Sequence, residues 1–199
     1  VLTNMNQPLG HEVGNANEVK EAIQVLKNQG AEDETEVALT IASYMAILGG
    51  AYKEFSVAYA DLKKKLESGE AINKFRELVK IQGGDPEIID NFDKLPQAKY
   101  HIEIKAGQAG YIEEINAEQI GIAAMQLGAG RQTKEDAIDF AAGVTLVKKV
   151  GAEVRPDDVI CILHTNKENW QLAEKTAKDA YKISDVRSKE ESYVYDVIS

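Results

Sequence analysis

The sequence predicts two bodies in series, a nearly all-helical one over residues 1–96 and an α+β one over residues 97–199. Three observations carry this. Four consecutive segments up to residue 81 place apolar side chains at helical spacing. Downstream of Lys94-Leu95-Pro96-Gln97 the pattern changes to short, alternating β-rich runs. Finally, Val1-Leu2-Thr3 reads as the stump of a strand running straight into a Gly-rich corner, so the helices of the first body lack most of the sheet they should cover.

Taken in order, the corner comes first. Gln7-Pro8 disfavours helix at residue 7, and Gly10 and Gly14 permit backbone angles that other residues resist. Asn15 or Asn17 is placed to cap the following helix, and Asn15 with Glu18 has the spacing of a capping box. That helix, about 17 to 28, carries Val19, Ala22, Ile23 and Leu26 on one face and ends at Gly30. A second, about 34 to 48, turns Val37, Leu39, Ile41, Met45 and Leu48 inward and stops at Gly49-Gly50. A third, about 54 to 67, has Phe55, Leu62 and Leu66 inward and Lys63-Lys64-Lys65 near its C-terminus, where the helix dipole favours cations. A fourth, about 70 to 81, shows Ile72, Phe75, Leu78 and Val79. Gly83-Gly84-Asp85-Pro86 is a turn, followed by a short helical turn at Glu87 to Ile89.

In the second body, His101 to Lys105 and Tyr111 to Ile115 read as strands separated by Gly107 to Gly110. A helix from about 117 to 127 presents Ile120, Ile122, Ala123 and Leu127. Val144 to Val147, Glu153-Val154 and Val159 to Leu163 are further strands, with Pro156-Asp157 as a turn. Asn166 is placed to cap a last helix to about 182, packing Trp170, Leu172, Ala173 and Tyr181, and Tyr193 to Ile198 reads as a closing strand.

Composition narrows the function classes. At 199 residues the chain is long enough for a sizeable core, and 44% hydrophobic with 28% charged residues is ordinary for a globular protein. A net charge of −10 argues against nucleic acid, whose binders cluster Lys and Arg, but leaves room for a small anion in a local pocket. No apolar run approaches the ~18 residues that span a bilayer, so no membrane role is expected. Val1 is not an initiator methionine, and the natural N-terminus is expected upstream. The single cysteine, Cys161, excludes an intrachain disulfide framework, fits a reducing, cytoplasmic compartment, and sits in an apolar run as a structural thiol. His11, His101 and His164 lie far apart without ligand spacing, so neither a zinc motif nor a Ser-His-Asp arrangement is read.

By residue chemistry alone the corner admits two readings, an ordinary strand-turn-helix connection or a shell of carbonyls with the Glu21 carboxylate for a hard cation. Asn6-Gln7-Pro8-Leu9-Gly10, Gly14-Asn15-Ala16 and Glu18-Val19-Lys20-Glu21-Ala22 resemble the segment of pyrimidine-nucleoside phosphorylases that enters the second half of their central domain. The likeness continues through Gln82-Gly83-Gly84-Asp85, Leu95-Pro96, Leu127-Gly128-Ala129-Gly130-Arg131, Lys134 to Asp139 and Lys148-Lys149-Val150-Gly151. Thymidine phosphorylases are close relatives, but the Gln-Pro-Leu-Gly form is similar to the broad-specificity pyrimidine enzymes. Because family members are about twice this long, the chain resembles their C-terminal half.

The resemblance implies the helical second half of a mixed α/β nucleoside-phosphorylase domain followed by a hammerhead-like (barrel-sandwich) α+β C-terminal domain. Gly110-Tyr111-Ile112, Val150 to Val154 and Asp158 to Ile162 are similar to the folded hammerhead of lipoyl and biotinyl carriers. A carrier's lysine, flanked by hydrophobes on a tight hairpin, is not found, so a structural cousin is expected and not a carrier. The resemblance also implies phosphorolysis of pyrimidine nucleosides (uridine, thymidine, deoxyuridine) by inorganic phosphate, in a homodimer. The family's Lys-x-Ser and Gly-rich phosphate segment and its base-contacting Arg and Lys precede the corner, so no catalytic or substrate-binding residue is carried over and the isolated chain is expected to be inactive. What does carry over is a potassium site formed by the main-chain oxygens of Leu9 and Glu12 and the carboxylate of Glu21, with remaining ligands from the preceding half. Glu12 stands where the family has a small residue. Arg131, in a Gly-rich loop after a helix end, admits two readings, an approach to a phosphate or a surface loop in which Asp136 and Asp139 balance Arg131 and Lys134; it is expected to pack near an interdomain cleft and help hold a closed state. Contrasting readings are a thymidine-specific phosphorylase and a non-catalytic hammerhead-like assembly module.

Overall fold

The computed structural model describes residues 1–131, 133–188 and 191–198. In chain order the elements are β1 (Leu2–Thr3), β2 (Glu12–Gly14), α1 (Ala16–Leu26), α2 (Glu32–Leu48), α3 (Phe55–Glu67), α4 (Glu70–Ile81), β3 (Tyr100–Lys105), β4 (Gly110–Ile115), α5 (Ala117–Leu127), β5 (Gly143–Leu146), β6 (Glu153–Val154), β7 (Val159–Thr165), α6 (Gln171–Asp179), β8 (Tyr181–Ser184) and β9 (Val194–Asp196). Among the described residues this is a mixed fold of six α-helices with antiparallel sheets.

The chain forms two compact units. One contains Val1–Asn4, Lys20–Lys94 and residues from 192 on; the other contains Met5–Val19 and Leu95–Glu191. In the first unit β1 pairs with β9, and Ile23 of α1, Ile72 of α4 and Ile89 form a buried cluster flanked by Leu26, Phe75, Ile88 and Phe92. The 3-10 turn Pro86–Ile89 falls where the Gly-Gly-Asp-Pro sequence placed it, because Asp85 caps it by accepting from the Glu87 amide at 2.9 Å. The inward face expected of α2 is half realised. Val37 and Leu39 are buried, whereas Ile41, Met45 and Leu48 are exposed, as are Leu78 and Ile81 on α4.

The second unit is built on a four-stranded antiparallel sheet in the order β2-β5-β7-β3 and a three-stranded one in the order β6-β4-β8. Its core gathers Ile112 and Ile115 of β4, Ile120, Ala123 and Leu127 of α5, Val144 and Leu146 of β5, Ile160 and Leu163 of β7, and Ala173 and Ala177 of α6. Ile112 and Ile115 stand three residues apart, so a regular strand would turn them to opposite faces. A register shift between Ile112 and Glu114 absorbs the odd residue and lets both face inward.

Two expectations are corrected here. The last helix is α6, ending at Asp179, and Tyr181–Ser184 is a strand paired with β4. Asn166 does not cap it: its side chain accepts from the Lys99 amide at 2.8 Å and donates to Asp139 at 2.9 Å, while Trp170 stands at the N-cap of α6 without a side-chain hydrogen bond to it.

Candidate functional site

The corner at residues 5–14 is held as part of the second unit. Gln7 Oε1 accepts from the Val150 amide at 3.1 Å. The Lys149 ammonium donates to the carbonyls of both Pro8 and Gly10, each at 2.5 Å. His11 accepts from the Leu146 amide through its carbonyl at 2.6 Å, and its Nδ1 meets the Leu146 carbonyl at 2.7 Å. A carbonyl only accepts, so His11 carries its proton on Nδ1. Gly10 takes φ 67°, a left-handed conformation that a side chain would resist. From there the chain enters β2, whose register against β5 pairs Glu12 with Thr145, Val13 with Val144 and Gly14 with Gly143.

This register explains the Glu12 side chain. Its Oε2 accepts from Thr145 Oγ1 at 2.6 Å and from Asn17 Nδ2 at 3.0 Å, so the carboxylate is engaged on the outer face of the sheet. Of the three residues expected to grip a cation, Leu9 and Glu12 thus belong to the corner in the second unit, and Leu9 sits between two carbonyls already bound by an ammonium. Glu21 belongs to the first unit, on α1, where it is only 5% exposed. A carboxylate so buried requires hydrogen-bond or cationic compensation. Main-chain oxygens with a carboxylate suit a hard, weakly directional cation and are a poor set for zinc or copper.

The Gly-rich loop departs from α5 in an orderly way. Gly128, at φ 117°, closes the helix by donating to the carbonyls of Ala124 and Met125. The Thr133 amide and hydroxyl both bond Asp136, each at 2.9 Å, and Asp139 accepts from the Ala141 amide and from Asn166. These two aspartates order the loop's own backbone and its tie to Asn166. Arg131 is exposed, and Gln132 lies outside the described residues.

Sequence spacing missed one constellation. His101 on β3 and His164 on β7 are register partners, and their Nδ1 atoms are 2.7 Å apart. His164 Nε2 lies 2.8 Å from the same Thr145 hydroxyl that bonds Glu12. The signal was available only as a pairing of two strands some sixty residues apart, which periodicity within each strand does not reveal. Cys161, on the opposite face of β7, is fully buried; burial pushes its thiol up to about 12, with the Tyr181 hydroxyl drawing it back in part. It is a core residue, as its apolar run implied.

Residues 111–184 match the family described as pyrimidine nucleoside phosphorylase C-terminal domain. The chain is 48% identical over 169 residues to the pyrimidine-nucleoside phosphorylase of Bacillus subtilis (strain 168), covering 85% of this chain and 39% of that protein. It is 43% identical over 185 residues to the enzyme of the same name from Staphylococcus aureus (strain bovine RF122 / ET3-1), covering 93% and 43%. The chain therefore spans about two fifths of the length of the curated relatives it matches. The likeness runs through both units, and the match to the named C-terminal domain lies within the second; over that stretch the chain is similar to pyrimidine-nucleoside phosphorylases.

Proposed function

We propose that the chain is the C-terminal half of an enzyme that cleaves uridine, thymidine and deoxyuridine with inorganic phosphate, releasing the free base and a (deoxy)ribose 1-phosphate. The observation that carries this is the 48% identity with the Bacillus subtilis pyrimidine-nucleoside phosphorylase across 85% of the chain. In such a reaction a phosphate oxygen attacks the anomeric carbon as the bond to the base breaks, through a transition state with oxocarbenium character. Catalysis rests on holding phosphate against the sugar and stabilising the departing base. The groups that do so belong to polypeptide preceding the corner, and the chain alone is inactive. The second unit adopts the hammerhead-like barrel-sandwich of the family, the enzyme is a homodimer, and it works in the cytoplasm. No helix among the described residues is long and apolar enough to cross a membrane.

This chain's contribution is a potassium site composed of the Leu9 and Glu12 main-chain oxygens and the Glu21 carboxylate. The donor set fits a monovalent cation, which supplies positive charge beside the phosphate segment. Lys149 and the β2–β5 pairing hold the corner, so residues 8 to 12 need not reorganise when the ion binds. Arg131 acts from its loop on closure. In the full-length enzyme Arg131→Ala changes KM or kcat; unchanged values of both remove that role.

The test is phosphate-dependent release of uracil from uridine by the full-length enzyme, with thymidine and deoxyuridine compared. Turnover of all three supports the reading. Turnover of thymidine and deoxyuridine without uridine makes it a thymidine phosphorylase, and no phosphate-dependent release at all overturns it.

A further inference from the structure

We propose that His101 and His164 form a two-imidazole clamp for a divalent transition-metal ion of the copper(II), nickel(II) and zinc(II) class, on the outer face of the four-stranded sheet. The site lies wholly within the second unit and does not depend on the phosphorolysis reading.

The two rings come from directly opposed residues of the antiparallel pair β3–β7, with centroids 5.0 Å apart and planes at 70°. Hydrogen-bond direction follows from chemistry. The Glu12 carboxylate only accepts, so the Thr145 hydroxyl donates to it and must itself accept from His164 Nε2–H. A neutral His164 with its proton on Nε2 presents a lone pair at Nδ1, aimed at His101 Nδ1, which donates to it across 2.7 Å. The opposed nitrogens therefore share one proton.

Binding requires that His101 carry its proton on Nε2 instead, which leaves both Nδ1 lone pairs for the ion and changes no net charge on either ring. At metal–nitrogen distances of about 2.0–2.1 Å, cis ligands stand roughly 2.9 Å apart at a right angle and roughly 3.3 Å at a tetrahedral one. Both rings must turn off the hydrogen-bond line so that their lone pairs converge on one point, as the nitrogens part from 2.7 Å to that span. His101 is exposed and β3 is a sheet edge, so ions reach the pair and solvent completes the shell. Among the described residues no cluster of three or more His, Cys, Asp and Glu forms a closed cage, which makes this an open, two-ligand site and not a structural zinc centre.

Two features distinguish the pair from a chance meeting of surface histidines. His164 is oriented from behind by Thr145, and Thr145 by a Glu12 carboxylate that Asn17 also holds. Metal-binding imidazoles commonly present their second nitrogen to such a support, which fixes tautomer and ring plane. The donors are also uniformly imidazole nitrogens, which favours copper, nickel and zinc over magnesium or calcium.

The test is titration of the untagged 199-residue chain with copper(II) alone, followed by calorimetry and electron paramagnetic resonance. The expected result is one saturable ion per chain with two nitrogen ligands in the spectrum and a Tm raised by the metal. His101→Gln and His164→Gln each lower the affinity at least tenfold. Thr145→Val lowers it about tenfold to a hundredfold and Thr145→Ser restores it. Fewer than two nitrogens on copper in the unaltered chain overturns the proposal whether or not the variants fold. So does a well-folded His101→Gln chain that binds as tightly as the original. Unchanged affinity in Thr145→Val overturns the supporting role of Thr145 and Glu12.

Discussion

Gly143 shows how far single residues in this chain are dictated by their neighbours. A methyl group there would lie 2.7 Å from Asn17 Nδ2 and from the Val13 carbonyl, and one on its partner Gly14 would lie 2.5 Å from Asn17 Oδ1. The glycine pair makes the space in which Asn17 lies across β2 and reaches Glu12. Gly143→Ala is therefore expected to destabilise the chain by about 2 kcal/mol, read as a lowered midpoint in urea, because the clash is partly with backbone and cannot relax by a rotamer change. The Gly-rich corner was legible in sequence; the roles of Gly143 and Asn17 were not, since both depend on the register between strands 130 residues apart in sequence. Cys161 was legible. Its thiol, ordinarily near 9.0, is raised to about 12 by burial. Keeping the neutral thiol is favourable to the fold below about pH 9, and that advantage disappears as pH rises toward 12. Denaturant midpoints should fall across that window by less in Cys161→Ala than in the unaltered chain, and Cys161 should resist a thiol reagent at pH 8 unless unfolded.

At the scale of elements, the start of α1 departs from its sequence signature in an instructive way. The Asn15–Glu18 spacing suggests a reciprocal capping box, yet Glu18 Oε1 reaches back one residue further, to the Gly14 amide at 2.7 Å. Asn15 meanwhile donates to the Ala129 carbonyl at 2.8 Å, fastening the corner to the loop after α5. The helix boundary was read to within a residue because Pro, Gly and Asn specify it locally; the partners were missed because a tertiary carbonyl competes for the cap. Glu18→Ala should cost about 1 kcal/mol, measured by thermal unfolding, with a similar cost for Asn15→Ala. A Glu18→Ala chain as stable as the original would show that Gly14 finds another acceptor. β8 escaped notice for a different reason. Its four residues continue the apolar spacing of α6, and only pairing with β4 reveals them as a strand. Asn166, plausible as a cap, is drawn instead to Lys99 and Asp139.

For the whole molecule, alternation of strands and a helix after residue 97 was enough to predict an α+β body, and the local periods of 3.6 and 2 located most elements. What those periods cannot show is that Met5–Val19 joins that body through β2, a three-residue strand too short to carry a pattern. Met45 and Leu48, expected on the inner face of α2, are exposed, because helical spacing alone does not say which part of a face is covered. In the full-length enzyme, Glu21→Gln should reduce activity at least tenfold and abolish its response to potassium, measured by replacing potassium with a bulky organic cation. Equal response in both proteins would remove Glu21 from the cation site. In the proposed function this polypeptide completes a phosphorolytic site whose catalytic groups lie elsewhere. It is tested most directly by measuring uracil formed from uridine and phosphate with the 199-residue chain alone and with the proposed full-length enzyme, at equal molar concentration. Sustained, phosphate-dependent release is expected from the full-length enzyme and none from the chain alone; release by the chain alone overturns the proposal.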